Sequence, residues 1–278
     1  MRLQKTGKNN KFRYKKHLGQ NFLHNTAKLN QMSDFICKDG DNLIIEIGPG
    51  MGALTGMLLQ KAEKVIAMEI DADATKRLKE KFNDAGNLEI INCDFLKFDL
   101  KRYLKEMDRK VKVAGNIPYY ITAPIIEKIV ENREFIKTAF LTVQEEVAER
   151  IVAEEGSKVY GSLSVFCRFY ADVKILLRIN RKSFFPVPDV DSCFVEFNFD
   201  KKQKIKVHDE KLFFEVVRCG FAHRRKMLAN NLRHAFDFTQ EDAAALLRKA
   251  EIDEKARAED VSILKFAELS NILYNLRR

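Results

Sequence analysis

Short apolar runs alternate with segments of helical periodicity through the first two hundred residues of the chain. The runs predict strands and the segments between them predict helices, an order typical of a doubly wound α/β sheet. The predicted strands are 43–47, 64–69, 88–92, 110–115, 138–143, 173–178 and 192–199. The predicted helices are 26–37, 53–62, 72–83, 95–107, 122–132 and 144–153, and residues 162–170 fit either a helix or an extended segment.

The chain changes character after the charged segment 200–206, which we interpret as a linker. Beyond it the apolar positions follow helical spacing only, and they predict helices at 209–221, 224–236, 240–250 and 262–276. The pattern therefore predicts two domains. Residues 1–200 contain a seven-stranded doubly wound α/β sheet, and residues 201–278 form a small all-helical C-terminal domain.

The first predicted strand enters a turn in which Glu46 is followed by glycines at alternate positions of residues 48–52. Glycines in the first turn of a βαβ unit let the backbone approach a nucleoside, and an acid ending the next strand, here Glu69, can bond ribose hydroxyls. The spacing differs from the dinucleotide fingerprint, Pro49 removes an amide donor, and Glu46 disfavours a pyrophosphate. S-Adenosylmethionine, which has two cationic centres and no phosphate, fits this turn better than NAD. A glycine turn without a ligand is the alternative.

Asp94 lies where the third predicted strand ends, which is the edge at which ligands bind in doubly wound sheets. Its carboxylate can accept a hydrogen bond from the exocyclic amine of an adenine. It can equally cap the helix predicted at 95–107. The local sequence leaves both roles open.

The most specific chemistry lies after the fourth strand, where residues 116–120 are Asn-Ile-Pro-Tyr-Tyr. The side-chain oxygen of Asn116 and the carbonyl of Ile117, held extended before Pro118, supply acceptors for both N–H bonds of an adenine N6. Tyr119 can stack on the extruded base, and Phe184 is a candidate for its opposite face. Positioning of the amine for methyl transfer can then supply most of the rate acceleration of that reaction, without a strong general base. An ordinary proline turn and a core phenylalanine are the alternatives.

Basic residues concentrate in two places. Residues 1–33 contain eight Lys and Arg and no acid, which accounts for nearly all of the net charge of +9. Such an arm is typical of a nucleic-acid-binding tail, although it could also be merely solubilising. A second group, at a spacing that would line one side of a helix, could grip phosphates or be a solvated helix face. The candidate RNA-binding residues are Lys11, Arg13, Lys15, Lys16, Arg218, His223, Arg224, Arg225 and Lys226.

Several protein classes are disfavoured by composition. No apolar run approaches the roughly 20 residues that span a bilayer, and no apolar segment of a signal peptide follows the basic start. The five cysteines are scattered and none forms a Cys-x-x-Cys pair, which indicates a reducing compartment and no structural zinc. We therefore expect a cytoplasmic protein without a metal site and without a membrane partner. We also expect the protein to be a monomer.

Taken together, the motifs resemble those of the KsgA-type rRNA adenine dimethyltransferases across the whole chain. They are residues 18–23 (LGQNFL), 46–50 (EIGPG), 69–71 (EID), 116–119 (NIPY), 158–165 (KVYGSLSV), 184–192 (FFPVPDVDS), 221–226 (FAHRRK) and 257–262 (RAEDVS). The resemblance implies a class I methyltransferase sheet and N6 dimethylation of two adjacent adenosines in the terminal hairpin of small-subunit rRNA. It also implies a role in small-subunit biogenesis, with the immature small ribosomal subunit as a partner.

The same resemblance implies which residues hold the ligands. S-Adenosylmethionine would contact Asn21, Leu23, Gly48, Glu69, Asp94 and Asn116, in addition to Glu46 and Gly50 of the glycine turn. The target adenine would lie among Asn116, Tyr119 and Phe184. Ile117 replaces the usual leucine and leaves the backbone acceptor intact. Phe185 directly follows Phe184, so either ring could face the base.

Two other functions share parts of this pattern. A macrolide-resistance methyltransferase has the same catalytic stretches but modifies a large-subunit rRNA adenine; the loop around Tyr160 and the helical tail favour the KsgA type. A non-catalytic RNA-binding assembly or transcription factor can be built on the same fold. The intact acids at 46, 69 and 94, together with Asn116, argue against lost catalysis.

Overall fold

The computed structural model describes residue 19 and residues 21–40, 42–200 and 205–277 of the chain. Its strands are β1 (Phe22–Leu23), β2 (Leu43–Ile47), β3 (Lys64–Glu69), β4 (Leu88–Asn92), β5 (Val111–Asn116), β6 (Ile136–Gln144), β7 (Asp172–Ile179), β8 (Phe184–Phe185) and β9 (Ser192–Asn198). Seven of these strands form one sheet in the order β4-β3-β2-β5-β6-β9-β7, in which β9 runs antiparallel to both of its neighbours. The seven-stranded sheet predicted from the apolar runs is confirmed.

Helices cover both faces of this sheet. The helices of the described residues are α1 (Thr26–Ile36), α2 (Ala53–Leu58), α3 (Ala72–Lys81), α4 (Leu100–Lys105), α5 (Thr122–Glu131), α6 (Glu145–Val152), α7 (Ser162–Tyr170), α8 (Glu210–Phe221), α9 (Leu228–Phe236), α10 (Gln240–Lys249) and α11 (Ile263–Leu276), of which the last four lie beyond the sheet. Successive residues of a strand face opposite sides of a sheet. Accordingly, Ile44 packs with Leu29 of α1 and Leu54 of α2, whereas Ile45 packs in a second cluster with Ile125 of α5. The sheet is therefore doubly wound.

The four helices α8 to α11 form the C-terminal helical region around their own apolar core. Phe213, Leu232, Leu247 and Phe266 lie in this core, each nearly inaccessible to solvent. The same cluster includes Tyr160 and residues of α7, which precede the linker in sequence. The helical region is thus packed directly onto the half of the chain that contains the sheet.

Two predicted helices begin later than expected. The helix predicted at 95–107 is shorter in the structure and comprises only α4. Asp99 caps its first turn, because its side chain accepts a hydrogen bond from the amide of Arg102, at 3.0 Å. The helix predicted at 224–236 begins at Leu228, because residues 223–226 form a turn in which the amide of Lys226 donates to the carbonyl of His223. Residues 162–170, left open by the sequence pattern, form the helix α7.

Within the described part of the chain, no helix is both long enough and apolar enough to cross a bilayer. The described residues also contain no group of three or more His, Cys, Asp or Glu side chains arranged to hold a metal ion.

Candidate active site

The carboxyl ends of β2, β3, β4 and β5 open onto a cavity of about 890 Å³. This edge is where open parallel sheets bind ligands. The cavity is lined by most of the residues singled out from the sequence, namely Asn21, Leu23, Glu46, Gly48, Gly50, Glu69, Asp94, Asn116, Ile117, Pro118 and Tyr119. Residues far apart in sequence are therefore brought into one site, and Phe184 is the one predicted cavity residue among those described that is not part of it.

Glu69 clamps the glycine turn to the end of β3. Its two carboxylate oxygens accept hydrogen bonds from the backbone amides of Gly50, at 2.9 Å, and Asp71, at 2.8 Å. Gly50 has a φ of +56°, and a Cβ there would lie 2.5 Å from the ring of Phe22, so only glycine fits. Burial raises the pKa of Glu69, and the two amides oppose that shift. The sequence indicated a ribose acceptor at Glu69 but gave no sign of this clamp.

Glu46 presents a buried carboxylate to the cavity. The residue is 2% exposed, and its Oε2 has no hydrogen-bond partner among the described residues. Burial raises the pKa of Glu46 to about 7; hydrogen bonding from the side chain and the backbone of Thr55 opposes this shift, and the carboxylate of Glu69 adds to it. A buried, unpaired carboxylate is costly unless a cation or a donor completes it. A donor or a positive charge brought to this side of the cavity would therefore stabilise the ionised form of Glu46.

Asn116 is oriented by the segment that precedes α1. Its Nδ2 donates to the backbone carbonyl of Asn21, at 2.8 Å, which leaves Oδ1 as an acceptor. Neither this Oδ1 nor the carbonyl of Ile117 receives a hydrogen bond from any residue that the structure describes. Both residues line the cavity. Two free acceptors on adjacent residues match an amine with two N–H bonds.

Tyr119 is fixed next to these acceptors. Its hydroxyl lies 2.6 Å from the hydroxyl of Ser192, the first residue of β9. Burial raises the pKa of Tyr119, so the phenol stays neutral at physiological pH. The ring is thereby held at the cavity wall by a hydrogen bond at its far end.

Asp94 lies in a turn of its own. One of its carboxylate oxygens accepts a hydrogen bond from the amide of Leu96, at 3.0 Å, and the side chain is 29% exposed. Because Asp99 caps α4, the predicted role of Asp94 as the cap of a long helix is wrong. Asp94 lines the cavity, where its remaining acceptor capacity is available to a ligand.

Phe184 and Phe185 lie on opposite faces of a two-stranded ribbon that the apolar pattern did not reveal. β1 and β8 pair so that Phe22 faces Phe185 and Leu23 faces Phe184. Directly paired residues share a face of an antiparallel ribbon. Phe184 is 1% exposed in a core cluster with Leu23, whereas Phe185 is 53% exposed on the side of Phe22, whose ring lines the cavity. The structure therefore places Phe184 in the core rather than at the site.

The predicted basic residues have different environments. Lys11, Arg13, Lys15 and Lys16 lie outside the described residues. Arg218 belongs to α8, while His223, Arg224, Arg225 and Lys226 lie in the turn before α9, so the prediction that this group lines one helix face is wrong. These five residues are exposed.

The side chain of Arg224 forms its hydrogen bonds within the protein. Its guanidinium donates to the carbonyls of Lys158, at 2.6 Å, and Tyr160, at 3.0 Å, and lies 3.3 Å from the carboxylate of Glu259. These bonds hold the turn against the loop before α7. Arg218, Arg225 and Lys226, by contrast, form no ion pair with other described residues.

Comparison with known proteins gives a consistent result over nearly the whole chain. A model of the family described as ribosomal RNA adenine dimethylase matches residues 11–275. A Fusobacterium nucleatum protein named ribosomal RNA small subunit methyltransferase A is 41% identical over 264 residues, which cover 94% of this chain and 98% of the relative. A Clostridioides difficile protein of the same name is 40% identical over 265 residues, which cover 94% of this chain and 91% of the relative.

Two solved structures are similar in fold. A dimethyladenosine transferase from Plasmodium falciparum matches with a TM-score of 0.76 and 25% identity, covering 92% of this chain and 98% of that one. The 23S rRNA methyltransferase ErmE matches with a TM-score of 0.71 and 24% identity, covering 90% of this chain and 98% of that one. The second match is a likeness of fold alone.

Proposed function

The chain belongs to the ribosomal RNA adenine dimethylase family, and on that premise we propose that it dimethylates N6 of two adjacent adenosines in the terminal hairpin of small-subunit rRNA. The observation that carries the proposal is the pair of free acceptors at Asn116 and Ile117 on a cavity built around a glycine turn. The relatives that cover 94% of this chain are named for the small subunit, which favours it over the large-subunit alternative. The acceptors and acids that line the cavity disfavour a non-catalytic role.

S-Adenosylmethionine is the methyl donor that the cavity fits. When bound, it would supply a methyl group on a sulfonium, whose S–C bond breaks on transfer so that the sulfur leaves as a neutral thioether. The unpaired Oε2 of Glu46 provides the negative charge that a cationic ligand requires. Glu69 and Asp94 retain acceptor capacity for ribose hydroxyls and for the adenine amine of the cofactor, respectively. Asn21, Leu23, Gly48 and Gly50 form the surrounding wall.

The residues after β5 position the target amine. Oδ1 of Asn116 and the carbonyl of Ile117 each accept one N–H of adenine N6, which orients the nitrogen lone pair toward the methyl donor. Pro118 fixes the backbone in this geometry, and the tethered ring of Tyr119 stacks on the base. The methylated nitrogen then releases its extra proton to water. The protein supplies orientation, which is sufficient for a large acceleration.

RNA contacts extend beyond the cavity. The proposed phosphate contacts are the basic arm, with Lys11, Arg13, Lys15 and Lys16, and the exposed basic residues Arg218, His223, Arg225 and Lys226. We assign residues 1–200 to cofactor binding and catalysis and residues 201–278 to contact with RNA and the ribosome. The immature small ribosomal subunit is the proposed partner of a monomeric, cytoplasmic enzyme.

A labelled-cofactor assay tests the function directly. The purified protein is incubated with labelled S-adenosylmethionine and either undermethylated small ribosomal subunits or large-subunit rRNA. Label is expected only in small-subunit rRNA, and reverse transcription is expected to stop at two adjacent adenosines of the terminal hairpin. Label in large-subunit rRNA, or in neither RNA, contradicts the proposal.

Glu46 makes cofactor affinity depend on pH. With a pKa of about 7 in the free protein, Glu46 becomes protonated as the pH falls, and a neutral carboxyl no longer attracts a cation. A bound cation favours the ionised carboxylate, so binding releases a proton. We expect the Kd for S-adenosylmethionine to rise about fivefold between pH 7 and pH 6. Titration calorimetry measures it.

Two comparisons make this prediction specific. Glu46→Gln is expected to bind the cofactor weakly and with no pH dependence over the same range. 5′-Methylthioadenosine lacks the amino-acid portion and its ammonium, so its affinity for the wild-type protein is expected to be the same at pH 6 and pH 7. Identical pH profiles for the wild-type protein and the Gln variant would show that Glu46 does not face the cation.

A further inference from the structure

Tyr120 is an aromatic residue of the cavity to which the proposed function assigns no contact with either the cofactor or the target base. It follows Tyr119 in a short 3-10 turn and lines the same cavity, yet it is 63% exposed. Tyr119 is half-buried and tethered to Ser192. The two neighbouring rings therefore have different surroundings, one at the cavity wall and one at its open rim.

The ring of Tyr120 is supported from beneath by backbone. A Cβ on Gly19 would lie 3.0 Å from Cε1 of Tyr120 and 3.4 Å from the side chain of Pro118, so the glycine backbone lies directly against both residues. Gly19 has a φ of +59°, a conformation that favours glycine. A rigid aromatic side chain that loses little conformational entropy on contact is well suited to binding.

We propose that Tyr120 stacks on the nucleotide next to the target adenosine while that adenosine lies in the cavity. The inference rests on the proposed function, because an RNA must present its adenosine at this mouth. The next nucleotide is covalently attached, so it must lie at the rim. Every base offers a π face, and aromatic side chains that stack on single-stranded bases are a general means of holding nucleic acid. Tyr120 thus holds the second of two adjacent adenosines during modification of the first.

The probe is a pair of RNA hairpins in which 2-aminopurine replaces either the first or the second of the two adenosines. 2-Aminopurine has no N6 amine, so only the remaining adenosine can be methylated, and its fluorescence reports stacking. Wild-type protein and Tyr120→Phe are expected to quench the fluorescence of at least one hairpin. Tyr120→Ala is expected to lose that quenching and to raise the KM for the same RNA about tenfold.

Val187→Ala is the matched control, because Val187 is 55% exposed but does not line the cavity. Its quenching and KM are expected to equal those of the wild type. Cofactor affinity is expected to stay within twofold in all variants. Unchanged quenching in Tyr120→Ala overturns the inference, and so does a loss of cofactor affinity with unchanged RNA binding, which would place Tyr120 on the cofactor.

The two proposals fail separately in this experiment. Absence of methyl transfer by the wild-type protein to both hairpins and to undermethylated subunits counts against the proposed function. Transfer by the wild type at equal KM in the alanine variant counts against the role of Tyr120 alone.

Discussion

Asn116→Ala is expected to lower kcat for methyl transfer by at least about a hundredfold while leaving the Kd for RNA within a few-fold. Removing one positioned hydrogen-bonding group from an active site typically costs 10²–10³ in rate. Here the change deletes the acceptor Oδ1 and also the bond from Nδ2 to the carbonyl of Asn21. Single-turnover transfer of labelled methyl groups, with binding measured in parallel, separates the chemical step from affinity.

A closely matched asparagine provides the control for this variant. Asn132 also donates its Nδ2 to a backbone carbonyl, that of Lys128, at 2.8 Å, and its Oδ1 also has no partner among the described residues. It lies at the end of α5 and does not line the cavity. Asn132→Ala is expected to retain normal kcat. A normal rate in Asn116→Ala would remove the basis of the proposed mechanism.

Phe184→Ala is expected to reduce the free energy of unfolding by about 3–5 kcal/mol, the usual cost of removing a buried phenylalanine. Phe184 is 1% exposed among Leu23, Ile44 and Phe194. Phe185→Ala, at a 53% exposed position of the same ribbon, is expected to change stability by less than about 0.5 kcal/mol. Because Phe185 shares a face with Phe22, we expect its loss instead to weaken RNA-dependent transfer, about tenfold.

Urea unfolding followed by circular dichroism suits these variants, since the chain contains no tryptophan. Val187→Ala, at a 55% exposed position of the same loop, is the control for a nonspecific effect of truncating an exposed side chain. If Phe184→Ala keeps wild-type stability but loses transfer, then Phe184 leaves the core to meet the base, and the ring nearest the substrate is the one first predicted.

The sequence predicted those parts of the site that depend on local order. The residues of the glycine turn and Asn116 each follow a strand whose apolar run is unmistakable, and parallel strands bring their carboxyl ends to one edge. The clamp by Glu69 on Gly50 required coordinates, because nothing in a sequence distinguishes an acid that binds a ligand from one that binds backbone amides.

Non-local contacts account for what the sequence missed. β1 and β8 have two residues each, too few to show a period, and their pairing joins Phe22 to Phe185 across most of the chain. The face that each phenylalanine presents follows from that pairing alone. Likewise, α9 begins late because Arg224 reaches the carbonyls of Lys158 and Tyr160, which no local propensity encodes.

The apolar cluster shared by α7 and the C-terminal helices has an evolutionary consequence. Tyr160, Val165 and Phe169 precede the linker, yet they are buried against Phe213 and its neighbours beyond it. Recombination at the linker would therefore leave each product with an exposed apolar surface that has lost the residues it packs against. The helices α8 to α11 can therefore change only in step with the residues of α7 and its preceding loop that they contact, so the two parts of the chain evolve as one unit rather than as interchangeable modules.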